Sequence, residues 1–305
     1  MSKTDITLIG VGNIGAAMVK VWLKAGLAVT MWNRNPQRAS LTELVEQGAV
    51  LETDIRAAIR NSNVVVLCVS TYDNILDILV PALPLGEGDR SVSVINITTG
   101  TPKEARDMES FLKKNGITAY FDGAIMVTPA LVGTEHASMF FGGESEAEFG
   151  KVSQRYLEPL GQVHYISEDP GAASLWDLAA LAALNGTFTG GILALNLLKR
   201  QKLEKGNEKP PTTKNPMDMI VLPLLSNFLS HLSEVAQALD EEMWEENFGN
   251  PASMQIKGLE TILRGFREEQ VSSEGLELFH RMLKRCIEEV GSNAGLAKMG
   301  MYLQH

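Results

Sequence analysis

The sequence predicts an α/β architecture: a doubly wound N-terminal domain, then a long helix, then an all-helical C-terminal domain. Three observations carry this. Strand-like and helix-like periods alternate over residues 1–166, an alternation that builds a mostly parallel sheet with helices on both faces. A glycine-rich turn separates the first strand from the first helix. After Pro170 the alternation stops, and an uninterrupted apolar run leads into helical periods that continue to the end of the chain. The domains are expected at 1–166, 167–201 and 202–305.

Ile6 to Ile9 is a short apolar run that reads as a buried strand, and Ala16 to Leu23 reads as a helix. Between them lies Gly10-Val11-Gly12-Asn13-Ile14-Gly15. This is the G-x-G-x-x-G spacing in the strand–turn–helix order that a dinucleotide fingerprint requires. Gly10 is expected to make the tight turn, Gly12 to admit a pyrophosphate to the backbone, and Gly15 to let the helix lie close to the strand. The helix N-terminus then offers N–H groups to the phosphates. The next strand, Ala28 to Trp32, ends in Asn33-Arg34-Asn35-Pro36-Gln37-Arg38. No carboxylate stands there for a ribose 2′-hydroxyl, whereas two arginines and two amides suit a 2′-phosphate. The domain is thus expected to be a Rossmann domain that binds NADPH through Gly10 to Gly15, Asn33, Arg34, Asn35 and Arg38. The alternative is a glycine turn with a surface arginine pair in an unliganded domain.

Further strands are predicted at Val64 to Val69, Val92 to Ile97, Ala119 to Asp122, Ala137 to Phe141 and Gln162 to Ile166. Helices are predicted at Pro36 to Gln47, Asp54 to Asn61, Asp73 to Ala82, Pro102 to Lys114 and Ser145 to Leu157. Two strand ends, Val69-Ser70-Thr71 and Asn96-Ile97-Thr98-Thr99-Gly100, carry small polar residues. Ligands of such sheets sit outside the carboxyl ends of the strands, so Cys68, Val69, Ser70, Asn96 and Thr98 are expected to line the cofactor. Helix capping is the other role open to Ser70 and Thr98. Cys68 also reads as a small buried hydrophobe within its apolar run.

Charge and composition exclude several classes. A net charge of −10 with scattered basic residues argues against nucleic acid or an anionic membrane as partner. The two cysteines and five histidines match no metal or redox spacing, so no metal is expected. Met1 to Asp5 does not resemble a signal peptide, and the expected location is the cytoplasm.

Gly171 to Leu198 contains no proline and one charge, Asp177. As a single helix it would be about 42 Å long at about 1.5 Å per residue. The uncharged stretch 178–198 raises a transmembrane reading, but Asn185, Thr187, Thr189, Asn196 and three glycines make it a poor span. A helix buried on nearly all sides is the expectation. Gln201 to Pro216 reads as an exposed loop, followed by helical periods at Met217 to Asn247, Met254 to Glu268 and Glu274 to Tyr302. The acidic cluster Asp240-Glu241-Glu242 with Glu245-Glu246 reads as a solvated helix face. Too little chain follows the long helix to cover it, so a second copy is expected to do so in an intertwined homodimer.

An isolated carboxylate in an apolar helix costs stability unless paired or hydrated, which makes Asp177 a candidate functional group. Ser174, Asp177, Leu181 and Asn185 fall within an arc of about 80° on one helix face. The other role open to Asp177 is a favourable charge near the helix N-terminus.

Taken together, these residues resemble the NADPH-dependent imine reductases and reductive aminases of the β-hydroxyacid dehydrogenase superfamily. The resemblance rests on the glycine turn, on Trp32-Asn33-Arg34 with Arg38, on Asn96 to Pro102 and on Gly123-Ala124-Ile125-Met126-Val127-Thr128-Pro129. It extends through Glu168-Asp169-Pro170-Gly171-Ala172-Ala173-Ser174-Leu175-Trp176-Asp177-Leu178-Ala179 to Ser253-Met254-Gln255, so it covers nearly the whole chain. It implies an enzyme that reduces an imine, or a ketone plus an amine, with hydride from NADPH. Asp177 stands where hydroxyacid dehydrogenases place a catalytic lysine, and the resemblance assigns it and Asn185 to catalysis. It assigns Thr99, Ile125, Met126, Leu181 and Leu224 to the substrate pocket, with Met254 and Gln255 contributed by the partner subunit. Asn185 departs from the tyrosine of fungal-type reductive aminases, Leu224 from an aromatic wall, and Asn35 from a serine or threonine. The other readings are a β-hydroxyacid or aldehyde dehydrogenase-like reductase and an NADPH-binding sensor without turnover. A carboxylate at 177 favours a cationic iminium and opposes the negative charge that grows on a ketone oxygen.

Overall fold

A computed structural model describes residues 4–86, 91–202 and 211–303. The alternating periods form one eight-stranded sheet among the described residues, in the order β3-β2-β1-β4-β5-β6-β7-β8. The strands are β1 (Ile6–Ile9), β2 (Val29–Trp32), β3 (Val50–Leu51), β4 (Val64–Leu67), β5 (Ser93–Asn96), β6 (Ala119–Met126), β7 (Ser138–Gly142) and β8 (Gln162–Ser167). The first six run parallel; β7 runs antiparallel to β6, and β8 parallel to β7. The chain builds outward from β1 to β3 and then returns to place β4 on the other side of β1. Such a reversal leaves a crevice at the carboxyl ends of the strands, because adjacent crossovers leave in opposite directions.

Helices α1 (Asn13–Lys24), α2 (Ala39–Glu46), α3 (Ile55–Arg60), α4 (Tyr72–Leu79), α5 (Pro102–Lys114) and α6 (Glu146–Val152) belong to this part of the chain. Its central strands are mostly apolar because alternate residues serve opposite faces and both faces of the sheet are covered. Leu8, Val64 and Val66 pack in one core with Met18, Trp22, Phe121, Phe141 and Phe149. Ile9, Val65 and Leu67 pack in a second core with Ile75, Met108, Leu112 and Tyr120.

Several boundaries differ from the sequence reading. The helix expected from Pro36 starts at Ala39, because Arg38 is extended and caps it. The two-residue β3 is too short to leave a period. Strand β6 continues past Asp122 to Met126, paired with β7 along that length. The expected strand stopped just before Gly123, which is required there: a Cβ would lie 2.1 Å from the Phe141 ring.

The long helix is α7 (Gly171–Leu198), and the chain divides into two compact units within it, between Ala182 and Ala183. In the single chain α7 is not buried all round. Only Gly171, Ala173, Ser174 and Asp177 are buried, while Trp176, Phe188 and Ile192 stand exposed. The apolar composition that predicted burial therefore marks a surface.

The second unit continues with α8 (Lys214–Pro216), a π-helical turn at Met217–Val221, α9 (Leu222–Leu229), α10 (His231–Asp240), α11 (Ala252–Glu268) and α12 (Glu274–Val290). Leu259 and Leu263 of α11 pack on Leu283 and Cys286 of α12. The run expected to reach Asn247 ends at Asp240, so of the acidic cluster only Asp240 is helical, and Glu241, Glu242, Glu245 and Glu246 are exposed beyond the helix end. The run expected to reach Tyr302 breaks at Gly291, whose φ is 113°, before a 3-10 turn at Leu296–Leu303. Of the loop expected at Gln201–Pro216, residues 203–210 lie outside the described residues, and its end, Lys214–Pro216, is helical.

Gly10 fixes the β1–α1 turn. Its φ is 93°, and a Cβ would lie 2.3 Å from the Cys68 carbonyl oxygen and 2.6 Å from Val69 Cγ1. Gly10→Ala is expected to destabilise the fold by about 2 kcal/mol or more, read as a lower urea midpoint. An unchanged midpoint would show that the turn relaxes freely.

Candidate active site

The crevice beside β1 is shaped by its glycine turn. Gly12 is the N-cap of α1 with φ −81°, and no side chain caps that helix end. A Cβ at Gly12 would meet nothing within 4 Å, whereas one at Gly15 would lie 2.6 Å from the Gly10 carbonyl oxygen and 3.2 Å from Leu8 Cδ2. Gly15 thus serves close packing of helix on strand, while the space over Gly12 is kept for something outside the chain. A cavity of about 380 Å³ lies over this turn. The residues from Gly10 to Ile14 line it, together with Asn33, Arg34, Arg38, Cys68, Val69, Ser70, Asn74 and Ile78.

The end of β2 is tied to the turn. The Val11 N–H donates to Asn33 Oδ1 at 3.1 Å, and Asn33 Nδ2 donates to the Asn35 carbonyl at 2.9 Å. Arg38 reaches back with Nη1 to the Val11 carbonyl at 3.3 Å and Nη2 to Asn13 Oδ1 at 3.4 Å. The lining carries two guanidinium groups and no carboxylate. It therefore fits a dinucleotide with an extra phosphate: open N–H groups at the start of α1 for the pyrophosphate, Arg34 and Arg38 for the additional anion.

Cys68 is half-buried in this wall: it packs against the core beneath and lines the crevice above, just beyond the end of β4 at Leu67. Burial pushes the thiol up to about 11, so it is a neutral wall group and no nucleophile. Ser70 lines the cavity without capping a helix, since Thr71 caps α4. Thr98 caps nothing either; Thr101 caps α5, and Thr98 Oγ1 accepts from the Val69 N–H at 3.2 Å. Asn74 and Ile78 were missed in the sequence. The available signal was that α4 begins directly behind the Ser70 strand end.

Asn96 and Thr98 lie outside that cavity lining and belong to a buried hydrogen-bond network around Asp122. Asp122 accepts from Tyr72, Tyr120, Asn96 and Ser174. The sequence reading stopped at this residue without using it, although a carboxylate inside an apolar strand is itself a signal. Ser174 sits on α7 one turn before Asp177.

Asp177 is 4% exposed. Desolvation holds its carboxyl above the ordinary aspartate range, and a hydrogen bond with the Thr99 side chain opposes that shift. This arrangement keeps a proton on a carboxyl more readily than water would, while Thr99 remains as a partner for the ionised form. Ile125 and Met126, both half-buried, end β6, and Leu181 is half-buried on α7.

The remaining candidates lie in the second unit. Asn185 is exposed on α7, and its carbonyl accepts from the Thr189 hydroxyl at 2.9 Å. Leu224 is exposed on α9 and Met254 on α11. Gln255 Nε2 donates to the Asn250 carbonyl at 2.6 Å. Gln255 also lines a small hollow with Phe228, His231 and Phe248.

Residues 5–166 match the NAD-binding domain of 6-phosphogluconate dehydrogenase. Over 304 residues, which is 100% of this chain and 98% of the relative, the sequence is 30% identical to an NADPH-dependent reductive aminase of Aspergillus oryzae. A reductive aminase from Aspergillus terreus, solved in complex with NADPH4, cyclohexanone and allyl amine, is similar in structure with a TM-score of 0.87. That similarity has 28% identity and covers 99% of this chain and 100% of the other. An imine reductase from Aspergillus terreus, solved with NADPH4 and a dibenzazepine, gives a TM-score of 0.86 at 28% identity over 99% and 100% of the two chains.

Gly12 and Arg34 test the crevice independently of the fold. Gly12→Ala is expected to leave the melting temperature unchanged and to weaken dinucleotide binding, because its methyl fills only open space. Arg34→Ala is expected to raise KM for NADPH about tenfold or more while sparing NADH, the scale of losing a charge-assisted hydrogen bond. Equal kinetics with both cofactors in the parent would contradict the phosphate assignment.

Proposed function

The chain belongs to the NADPH-dependent imine reductases and reductive aminases, and from that premise we propose that Asp177 is the catalytic carboxyl of the reduction. The enzyme reduces imines, including those formed from a ketone and an amine, to amines with NADPH as reductant. NADPH, when bound, supplies hydride to the imine carbon. The residues proposed to hold it are Gly10 to Gly15, Asn33, Arg34, Asn35, Arg38, Cys68, Val69 and Ser70, with Asn96 and Thr98 acting from behind that wall, Thr98 by holding the Val69 N–H. Thr99, Ile125, Met126, Leu181 and Leu224 are proposed to contact the substrate, with Met254 and Gln255 supplied by a second copy. Asn185 orients the substrate through its amide, which cannot replace a phenol as proton donor. The proposed domain division keeps a Rossmann domain at 1–166, the interdomain helix at 167–201 and the helical domain at 202–305.

One observation carries the catalytic assignment. Asp177 is buried in an apolar helix, and its carboxyl is raised by desolvation with Thr99 as its partner. Imine reduction consumes a proton as well as a hydride. A carboxyl that holds its proton in the absence of a cation can give it to a basic imine nitrogen. Protonation makes the imine carbon a stronger hydride acceptor, and the carboxylate left behind holds the nitrogen in that protonated form until hydride arrives.

A homodimer is proposed to complete the molecule. Phe188 and Ile192 on α7 and Ile220, Leu224 and Phe228 in the α8–α9 stretch are exposed in the single chain. Both helical stretches, Gly171–Leu198 and Lys214–Asp240, are long and apolar enough to cross a membrane. A second copy would cover such surface, and the polar side chains of Asn185, Thr187, Thr189 and Asn196 make the first stretch a poor lipid-facing span. The two free cysteines suit a reducing compartment, and the cytoplasm is the proposed location.

Two outcomes test these readings. Asp177→Asn is expected to lower turnover of a cyclic imine by about 10²-fold or more with NADPH affinity unchanged. In the parent, turnover should fall as pH climbs through the raised Asp177 pKa, because the acid form is then lost. The variant should lack that limb, and a folded Asp177→Asn with parental turnover would overturn the assignment. For the dimer, a divided-core interface buries more than about 2,000 Å² and is usually obligate. Sedimentation at low micromolar concentration should therefore show dimer without folded monomer, and a stable active monomer would exclude it.

A further inference from the structure

Asp122 is 1% exposed and lies within β6, with apolar neighbours along the strand. A carboxylate so placed must find donors or lose its charge. It accepts four hydrogen bonds, all from neutral groups on four different elements or strands. Oδ1 receives Asn96 Nδ2 at 2.8 Å, the Tyr120 hydroxyl at 2.8 Å and the Tyr72 hydroxyl of α4. Oδ2 receives Ser174 Oγ of α7 at 2.6 Å.

Two of these bonds lead to the same place. Asn96 is the last residue of β5 and is paired in register with Asp122. Its Oδ1 accepts from the Thr98 N–H at 3.0 Å, which fixes the backbone of the segment that carries Thr99. Ser174 lies three residues before Asp177, on the same helix face. The Thr99–Asp177 hydrogen bond is thus approached from the loop side through Asn96 and from the helix side through Ser174. The helix end has an outer anchor as well. Asp169 accepts from Arg106 Nε at 2.9 Å and from Arg106 Nη2 at 2.6 Å, and takes the Gly171 N–H at 2.9 Å. That pair is exposed to water and constrains the helix weakly.

We propose that Asp122 is a positioning residue for the reduction, setting Thr99 and Asp177 in register by holding Asn96 with one carboxyl oxygen and Ser174 with the other. The inference rests on the reading of Asp177 as the catalytic carboxyl. The Tyr72 bond has a different consequence: it ties α4 to the sheet and leads to neither Thr99 nor Asp177. Burial raises the Tyr72 and Tyr120 hydroxyls well above their usual range, so both stay protonated and serve as donors throughout the working pH range.

The full-length enzyme with 1-pyrroline as the imine allows the test. Ser174→Ala removes the helix arm alone. Asp122→Asn keeps the shape and an oxygen for Asn96 and the tyrosines, and replaces the acceptor facing Ser174 by an amide. Both are expected to lower kcat about tenfold, within the range that small misplacements of catalytic groups cost. Kd for NADPH, measured by its fluorescence, should not change. The double variant should lose no more than either single one. Tyr72→Phe also removes one buried hydrogen bond to Asp122, and is expected to lower the melting temperature while changing kcat less than about twofold.

A merely structural role for Asp122 predicts matching effects of Ser174→Ala and Tyr72→Phe, on stability and not on kcat. Parental kcat in folded Ser174→Ala and Asp122→Asn, with Asp177→Asn inactive, would overturn the inference and leave the catalytic reading standing. Parental kcat in Asp177→Asn would remove the catalytic reading itself, and this inference with it.

Discussion

Placing the Asp122 carboxyl inside the sheet obliges its neighbours to converge. In an apolar medium each unmet acceptor costs on the order of 1–3 kcal/mol, and more if charged. The four neutral donors that meet this need come from α4, β5, β6 and α7. No cation contributes, so no long flexible side chain sets the geometry. Short side chains on rigid backbone hold it, which gives the start of α7 a defined register against the ends of β5 and β6. Where such a network is fully satisfied it rigidifies its surroundings. The helix that carries Asp177 is thus fixed at its first turns, although most of its length is exposed in a single chain.

The crevice beside β1 follows a different logic. There the chain holds space open. Gly10 and Gly15 are packed so closely that a Cβ would collide with backbone, whereas Gly12 faces nothing. The adjoining strand end is shaped by Asn33 and Arg38 bonding to the backbone and side chains of the glycine turn. Cationic groups gathered without a carboxylate, next to an uncapped helix N-terminus, define an anion site before any ligand arrives.

Much of this was legible in the sequence. The strands around β1 and β4 are continuous apolar runs ended by turns, and the glycine turn has a spacing with one structural context. Asp177 was equally conspicuous, as the single charge in an apolar helix, although its sequence position also allowed a charge favourable to the helix N-terminus. What escaped was set by partners distant in sequence. Tyr72, Asn96, Tyr120 and Ser174 carry no common period and meet only because β5, β6, α4 and α7 converge. The continuation of β6 through Gly123 depended on the Phe141 ring on the facing strand. The exposure of α7 could not be read from composition either, because an apolar helix looks the same whether its cover comes from its own chain or from another. The two-residue β3 is below the length at which periodicity exists.

With Asp177 as the proposed catalytic carboxyl, its burial also fits the choice of reaction. A ketone gains negative charge on oxygen as hydride arrives, so an ionised Asp177 in a poorly solvated site would raise the barrier, and the lysine of hydroxyacid dehydrogenases would lower it. An imine reverses the sign. Its nitrogen is basic enough to take the proton that desolvation keeps on Asp177, and the resulting charges attract more strongly than they would in water. Hydride transfer then neutralises the iminium, and the carboxylate is left uncompensated in a site that favours its protonated form. Recovery of a proton from solvent then follows from the desolvation that favours the acid form of the carboxyl. Burial of Asp177 therefore favours the recharging half of the proposed cycle, while the basicity of the imine and the Thr99 hydrogen bond, which stabilises the ionised state, support the donating half.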